Sequence, residues 1–174
     1  MKTLVIGGAR SGKSRAAEGL LTGRDDVTYV ATAYSPGDDV EWQERVRIHQ
    51  ERRPAEWATV ETTDLVTLLG VDGGPLLIDC LTLWLTRTMD HAGAWADEPT
   101  AAVAAVEAAG DRLVAALRAT SRDVVLVTNE VGQGVVPATP SGRRFRDQMG
   151  LLNTAVADVC EDVLWCIAGR VVRL

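Results

Sequence analysis

Eight consecutive residues near the N-terminus, Gly7-Gly8-Ala9-Arg10-Ser11-Gly12-Lys13-Ser14, fit the pattern G-x-x-x-x-G-K-[ST]. Each position has a physical task. Gly7 and Gly12 let the backbone turn so that successive N–H groups point inward at a phosphate, and the helix that follows adds its positive N-terminal end. Lys13 reaches the β- and γ-phosphates as a mobile point charge, and the Ser14 hydroxyl is a ligand for Mg²⁺. A chance glycine-rich turn is the ordinary alternative. It would not require an apolar run just before it (Thr3 to Ile6) and a helical pattern just after it (Ser14 to Leu21).

A carboxylate partner for that loop should end another strand of the same sheet. Leu76-Leu77-Ile78-Asp79 has that form, with Asp79 holding Mg²⁺ through water. The competing reading makes Asp79 the N-cap of a helix carrying Leu81, Leu83, Trp84 and Leu85. A second cluster runs from Glu44 to Glu61 around His49, one of only two histidines in the chain. Trp42, Val46 and His49 fall on one helical stripe, so His49 faces inward, with Arg45, Arg47, Arg52 and Arg53 nearby. Taken alone, such a histidine is ordinarily half-buried and structural, and the arginines are a solvated face paired with Glu41, Glu44 and Glu51. His91 is expected in a loop from Asp90 to Asp97 with nothing convergent around it, and receives no role.

The elements that must position these groups alternate. Val27 to Ala33, Leu76 to Asp79 and Val124 to Thr128 join Thr3 to Ile6 as strands buried on both faces. Val163 to Ala168 and Val171 to Leu174, separated by Gly169, form a terminal hairpin or edge pair. Helices are expected from about Glu41 to Arg52, ended by Pro54, and from Pro99 through Val103, Val106, Gly110, Leu113 and Leu117. A last helix has Ser141 as N-cap and carries Phe145, Met149, Leu152, Val156 and Val159. This predicts a mostly parallel sheet covered on both faces. Tyr34 to Asp39 and Val131 to Ser141 read as irregular loops.

The chain has 174 residues, 47% of them hydrophobic, and a net charge of −6, which suits one domain over residues 1–174 with a core that needs no disulfide. Cys80, Cys160 and Cys166 form no C-x-x-C pair and sit in or beside apolar runs, as reduced thiols of a cytoplasmic protein do. No signal peptide and no membrane span is expected. The acidic balance argues against generic nucleic-acid binding. No N-K-x-D is present to read guanine as in a switch GTPase, and the D-x-x-G match at Asp147 to Gly150 falls inside the last helix.

Four segments in this order carry a more specific resemblance: the phosphate loop, Tyr29-Val30-Ala31-Thr32-Ala33, the Arg-x-x-x-His-x-x-x-Arg-Pro-x-x-Trp run from Arg45 to Trp57, and Val127-Thr128-Asn129-Glu130-Val131-Gly132. Over nearly its whole length the chain resembles the bifunctional adenosylcobinamide kinase / adenosylcobinamide-phosphate guanylyltransferases of cobalamin biosynthesis. The departures are modest: Asn153-Thr154-Ala155-Val156 stands where the family often has a bulkier run, and Arg170 follows Gly169 where an apolar residue is commoner.

The resemblance implies an α/β phosphate-loop NTPase fold of RecA-like type, with a terminal antiparallel edge on its mostly parallel sheet. It implies that His49 is the guanylylated histidine and Lys13 the catalytic cation. Nucleotide contacts carry over to Gly7, Gly8, Ala9, Arg10, Ser11, Gly12, Lys13 and Ser14, to Ala31, Thr32 and Ala33, to Gln50, Glu51, Arg52 and Arg53, and to Glu61 and Asp79. Ser14 and Asp79 are the metal positions. GTP, ATP and Mg²⁺ are the implied cofactors, a corrinoid is the implied substrate, and a homotrimer is the implied assembly. In this reading His49 attacks the α-phosphorus of GTP, and Arg52 and Arg53 hold phosphate oxygens. The loop from Gly132 to Ser141, with Arg143, Arg144 and Arg146 beyond it, closes over substrate, meets a neighbouring subunit, or is a solvated face; Trp42 and Trp95 are candidates to meet the corrinoid. A single-activity small-molecule kinase with a structural His49, and a nucleotide-dependent regulatory module, are the competing functions.

Overall fold

Apolar, largely β-branched runs too short for helices must pair side by side to satisfy their backbone groups, and here they do so in one seven-stranded sheet. The computed structural model describes residues 1–35, 37–97 and 99–174, Arg45 by its backbone alone. The strands are β1 (Lys2–Gly7), β2 (Thr28–Ala31), β3 (Ala58–Glu61), β4 (Leu76–Asp79), β5 (Val124–Asn129), β6 (Asp162–Ile167) and β7 (Arg170–Arg173). Their order is β3-β2-β4-β5-β1-β6-β7, with the first six parallel and β7 antiparallel to β6. Six strands therefore end on one edge, which is where ligands of open parallel sheets bind.

Alternation along the strands builds two cores. Leu4, Val30, Leu76, Ile78, Val124 and Leu126 face one side. There they meet α3 (Leu65–Leu69), α4 (Leu81–Ala92), α5 (Thr100–Ala119) and α6 (Pro140–Ala157). Val5, Tyr29, Leu77, Val125, Val127 and Cys166 face the other, covered by Ala17 and Leu21 at α1 (Lys13–Gly19). The helix α2 (Val40–Arg52) connects β2 to β3.

The structure agrees with the expected fold class and adds two elements without a sequence signature. Strand β3 is exposed at all four positions, and α3 is five residues long. Local boundaries shift. The N-cap of α6 is Thr139, not Ser141: its hydroxyl accepts from the Gly142 N–H at 3.1 Å, and Pro140 opens the helix. Pro99 precedes α5 rather than beginning it, and Val159 lies beyond the end of α6. Replacing Thr139 by alanine should cost about 1 kcal/mol. Thermal denaturation should record that as a Tm lowered by roughly 2–4 °C.

All three cysteines are free, and burial pushes the Cys80 and Cys160 thiols up to about 11, so they stay protonated. Among the described residues no helix is long and apolar enough to cross a membrane.

Candidate nucleotide site

The site begins where β1 ends. Its last residue, Gly7, is packed so closely that a Cβ would lie 2.5 Å from the Cys166 carbonyl oxygen and 2.6 Å from Ser11 Oγ. No other residue fits there. Gly12 has φ of 95°, in the left-handed region that favours glycine, and caps α1, which starts at Lys13. The turn between β6 and β7 supports the loop from beside it, the Gly169 N–H donating to the Ser11 carbonyl at 3.1 Å. Lys13 Nζ donates to the Gly8 carbonyl at 3.0 Å and so lies across the loop it serves.

The register of the sheet brings the other candidates to the same edge. Glu61 pairs with Ala31, Ala31 with Asp79, and Gly7 with Asn129. Asp79 is the last residue of β4 and not a helix cap: Cys80 holds that position on α4, with no side-chain capping bond. The Asp79 carboxylate points to the α1 side, where its Oδ2 accepts from the Tyr29 hydroxyl at 3.0 Å. Among the described residues its Oδ1 takes no protein donor, and it is not shut off from solvent. An open carboxylate oxygen ending β4, with a serine hydroxyl in the first turn of α1, which packs against that strand, is the oxygen chemistry that suits Mg²⁺, an ion that keeps several waters and needs few protein ligands.

Asp39, by accepting from the Trp42 N–H at 2.9 Å, caps α2, and the helix carries Trp42, Val46 and His49 on its less exposed face. His49 Nδ1 stands 3.8 Å from Asp79 Oδ2, too far for a hydrogen bond but close enough for the carboxylate to favour a proton on Nδ1. Burial lowers the His49 pKa below 6.5, Asp79 opposes that shift, and the Arg52 charge adds to it. The ring is therefore neutral at pH 7, with Nε2 as its free lone pair.

Arg52 and Arg53 are held more firmly than their sequence context implies. Arg52 forms a bidentate pair with Glu18 of α1, both contacts at 2.7 Å. Arg53 lies 3.6 Å over the Tyr29 ring and donates to the His49 carbonyl and to Thr59. Among the described residues each retains one Nη without a protein partner. Glu51 pairs with Arg47 on the outer face of α2, which Arg47 shares with Glu44, and Gln50 is exposed. The Arg45 side chain lies outside the described residues. Thr32 is fully buried; its hydroxyl donates to the Cys80 carbonyl at 2.7 Å and accepts from the Cys80 N–H. Its backbone is engaged too: the N–H donates to the Asp79 carbonyl at 3.4 Å, and the carbonyl, with Ala33's, accepts from Arg87, so Thr32 shapes the strand end rather than offering a free group.

Tyr29, Glu18 and Arg87 were not singled out for roles by the sequence, although each fixes a candidate. The alternation of Val27, Tyr29 and Ala31 was the available signal for Tyr29; nothing in the sequence announces the other two. Other expectations change. His91 belongs to the last turn of α4, not a loop. Arg143, Arg144 and Arg146 donate to carbonyls of Pro137, Ala138, Ala94, Ala96 and Gly132, so they tie down the loops around residues 94–96 and 132–138. Trp42 donates to the Tyr34 carbonyl, and Trp95 to Asp90, beside Phe145.

Comparison with known proteins accords with this arrangement. The chain is 40% identical over 174 residues to the bifunctional adenosylcobalamin biosynthesis protein CobP of Pseudomonas aeruginosa, covering 97% of this chain and 94% of that protein. It is 38% identical over 182 residues to the bifunctional adenosylcobalamin biosynthesis protein CobU of Salmonella typhimurium, covering 100% and 99%. Among solved structures, an ATPase of a bacterial type III secretion system superposes with a TM-score of 0.55 at 10% identity, over 94% of this chain. The chain spans 50% of that ATPase, and the likeness is one of fold. The profile of the cobinamide kinase / cobinamide phosphate guanyltransferase family matches residues 3–174, and the chain belongs to that family.

Proposed function

We propose that this protein phosphorylates adenosylcobinamide with ATP or GTP and then transfers GMP from GTP, through a guanylyl-histidine, to adenosylcobinamide phosphate, giving adenosylcobinamide-GDP. The observation that carries the reading is His49: neutral, half-buried, and 3.8 Å from a carboxylate that ends a strand two positions from the phosphate loop's own.

In the kinase step the backbone N–H groups of Gly7 to Ser14 cradle the triphosphate and Lys13 leaves the Gly8 carbonyl to neutralise charge growing on the γ-phosphoryl oxygens. The acceptor hydroxyl attacks the γ-phosphorus, the bond to the bridging oxygen breaks, and the hydroxyl proton passes to solvent. Ser14 Oγ and Asp79 Oδ1 would hold Mg²⁺, which supplies Lewis-acid neutralisation of the phosphates when bound.

In the guanylyl step His49 Nε2 attacks the α-phosphorus of GTP and pyrophosphate leaves. Asp79 favours the proton on Nδ1 and stabilises the positive charge that the ring acquires. The free Nη groups of Arg52 and Arg53 then meet phosphate oxygens, and the acceptor's phosphate oxygen displaces His49 from phosphorus. Ala31, Ala33, Gln50, Glu51 and Glu61 are the remaining nucleotide contacts in this reading, with the buried Thr32 holding the strand end between Ala31 and Ala33. The protein works in the cytoplasm as a homotrimer of single-domain subunits.

Neutral His49 is the reactive form, and its pKa lies below 6.5. The rate of His49 guanylylation should be lost as pH falls, with a midpoint below 6.5. Asp79→Asn removes the charge opposing the depression and should move the midpoint lower still; a midpoint above 6.5 in the parent protein would contradict the assignment. The overall reading is tested by mass spectrometry of products from adenosylcobinamide with ATP, then with GTP. Accumulation of the phosphate ester followed by its conversion to the GDP adduct is expected. Ester alone would support the single-activity kinase, and neither product would refute the enzyme reading.

A further inference from the structure

The segment that follows β5 carries the most exposed large hydrophobic side chain among the described residues, Val135 at 95%, with Val136 beside it at 61%. A loose loop would let such residues fold back onto the protein, but this one is braced on both sides of them. Arg146 donates to the Gly132 carbonyl, and the Gly132 N–H donates to Glu130 Oε1. Arg143 donates to the carbonyls of Pro137 and Ala138, both at 2.9 Å. The two valines are therefore held out in water, where apolar surface is a cost unless something covers it.

Glu130 and Gln133 of the same segment line a notch of about 250 Å³ with Ile6, Trp165 and Leu174. Ile6 alternates with Val5 of the core beneath α1, and Trp165 is its register partner, so the notch opens on the face opposite α1. Val172 pairs with Trp165 on β7 and extends this apolar face, half exposed. The polar groups of the notch are uncommitted. Among the described residues the Gln133 carboxamide, the second Glu130 oxygen and the Trp165 Nε1–H have no protein partner.

Position connects this surface to the chemistry. Ile6 is the residue before Gly7, so the notch adjoins the start of the phosphate loop. In-line transfer requires the acceptor oxygen on the side of phosphorus away from the leaving oxygen. Lys13 at the start of α1, the Asp79 carboxylate and His49 gather on the α1 side, and the acceptor has the opposite face to approach from.

Resting on the kinase reading above, we propose that the notch beside the 130–138 loop is the docking site of the corrinoid acceptor, with Val135 and Val136 against the rim of its macrocycle and its hydroxyl arm toward the phosphate loop. Adenosylcobinamide is a cationic corrin edged with methyl groups and amide side chains. The charged side chain in the notch is a carboxylate, Gln133 and the Trp165 N–H are partners for amides, and the valines with Ile6 and Leu174 suit the methyl edge. A second copy of the chain packed on the same apolar face would leave those polar groups unmet, which disfavours it as the occupant.

The test uses the full chain and two variants, Val135→Ser/Val136→Ser and Glu130→Gln. Calorimetric Kd for adenosylcobinamide, kinase KM for each substrate, His49 labelling by α-labelled GTP, sedimentation and Tm are measured. The double serine variant should raise Kd and KM for adenosylcobinamide by about tenfold, the scale of one buried apolar side chain. KM for ATP and the labelling rate should stay within about threefold of the parent, and Tm within about 2 °C, because both valines are exposed. Glu130→Gln keeps an acceptor for the Gly132 N–H and loses the charge; it should weaken corrinoid binding about threefold at low salt, and less as salt is raised. Corrinoid affinity equal to the parent's in both variants overturns the site while leaving the kinase reading intact. Weaker binding accompanied by altered sedimentation also overturns it, since a second copy then covers the surface. A parent protein that neither binds nor phosphorylates adenosylcobinamide refutes the kinase reading, and this site with it.

Discussion

In the Lys13→Ala protein, phosphoryl transfer from ATP to adenosylcobinamide is expected to fall by about 10²–10³-fold, the scale for removing one preorganised group that stabilises transition-state charge. Lys13 is suited to the task because among the described residues its ammonium hydrogen-bonds only the Gly8 carbonyl, a weak partner at 3.0 Å that a triphosphate readily replaces. The loss should appear in kcat as well as in nucleotide affinity, since the charge it meets grows during transfer. Stability should hardly change, because the loop geometry comes from Gly7, Gly12 and the Gly169-to-Ser11 bond. Steady-state kinetics with detection of the phosphate ester reads this directly; turnover within tenfold of the parent would detach the loop from the chemistry, a result in conflict with ordinary mutational magnitudes.

His49→Ala is expected to separate the two reactions. Guanylyl transfer should drop on the order of 10³-fold or more, as when a nucleophile is removed, while the kinase step stays within about threefold. The separation follows from geometry. His49 enters the site from α2, held through Arg52 to Glu18 and through Arg53 to Tyr29, whereas the phosphate loop is built by β1, α1 and the β6–β7 turn. Removing the imidazole leaves those supports in place. The product assay should then show adenosylcobinamide phosphate accumulating without its GDP adduct. Asp79→Asn should affect both reactions, because one carboxylate faces Tyr29, His49 and the loop's end of the sheet.

The sheet edge and the phosphate loop were legible because they are written in short-range patterns. The β-branched runs at β1, β4 and β5 have few other ways to bury themselves, and the Gly7–Ser14 spacing is specific. Strand β3 was not legible, since its four exposed residues carry no alternation, and it is recognisable only once β2 is there to pair with it. The inward stripe of Trp42, Val46 and His49 was readable from helical spacing. The depression of the His49 pKa was not, because it comes from burial, which Asp79, thirty residues away, opposes without cancelling. Likewise Arg52 and Arg53 read as phosphate ligands, while the structure commits two of the three guanidinium nitrogens of each to Glu18, or to Thr59 and the His49 carbonyl. Long-range side-chain pairs of this kind leave no periodic trace.

The central claim is that His49 carries GMP, and labelling the protein with GTP radioactive at the α-phosphate tests it most directly. After peptide mapping, the label should lie on the segment containing His49. It should be lost in acid and kept in base, as for a phosphoramidate, and absent when GTP carries the label at the γ-phosphate. An unlabelled protein, a label surviving in His49→Ala, or a label that appears from γ-labelled GTP would contradict the account.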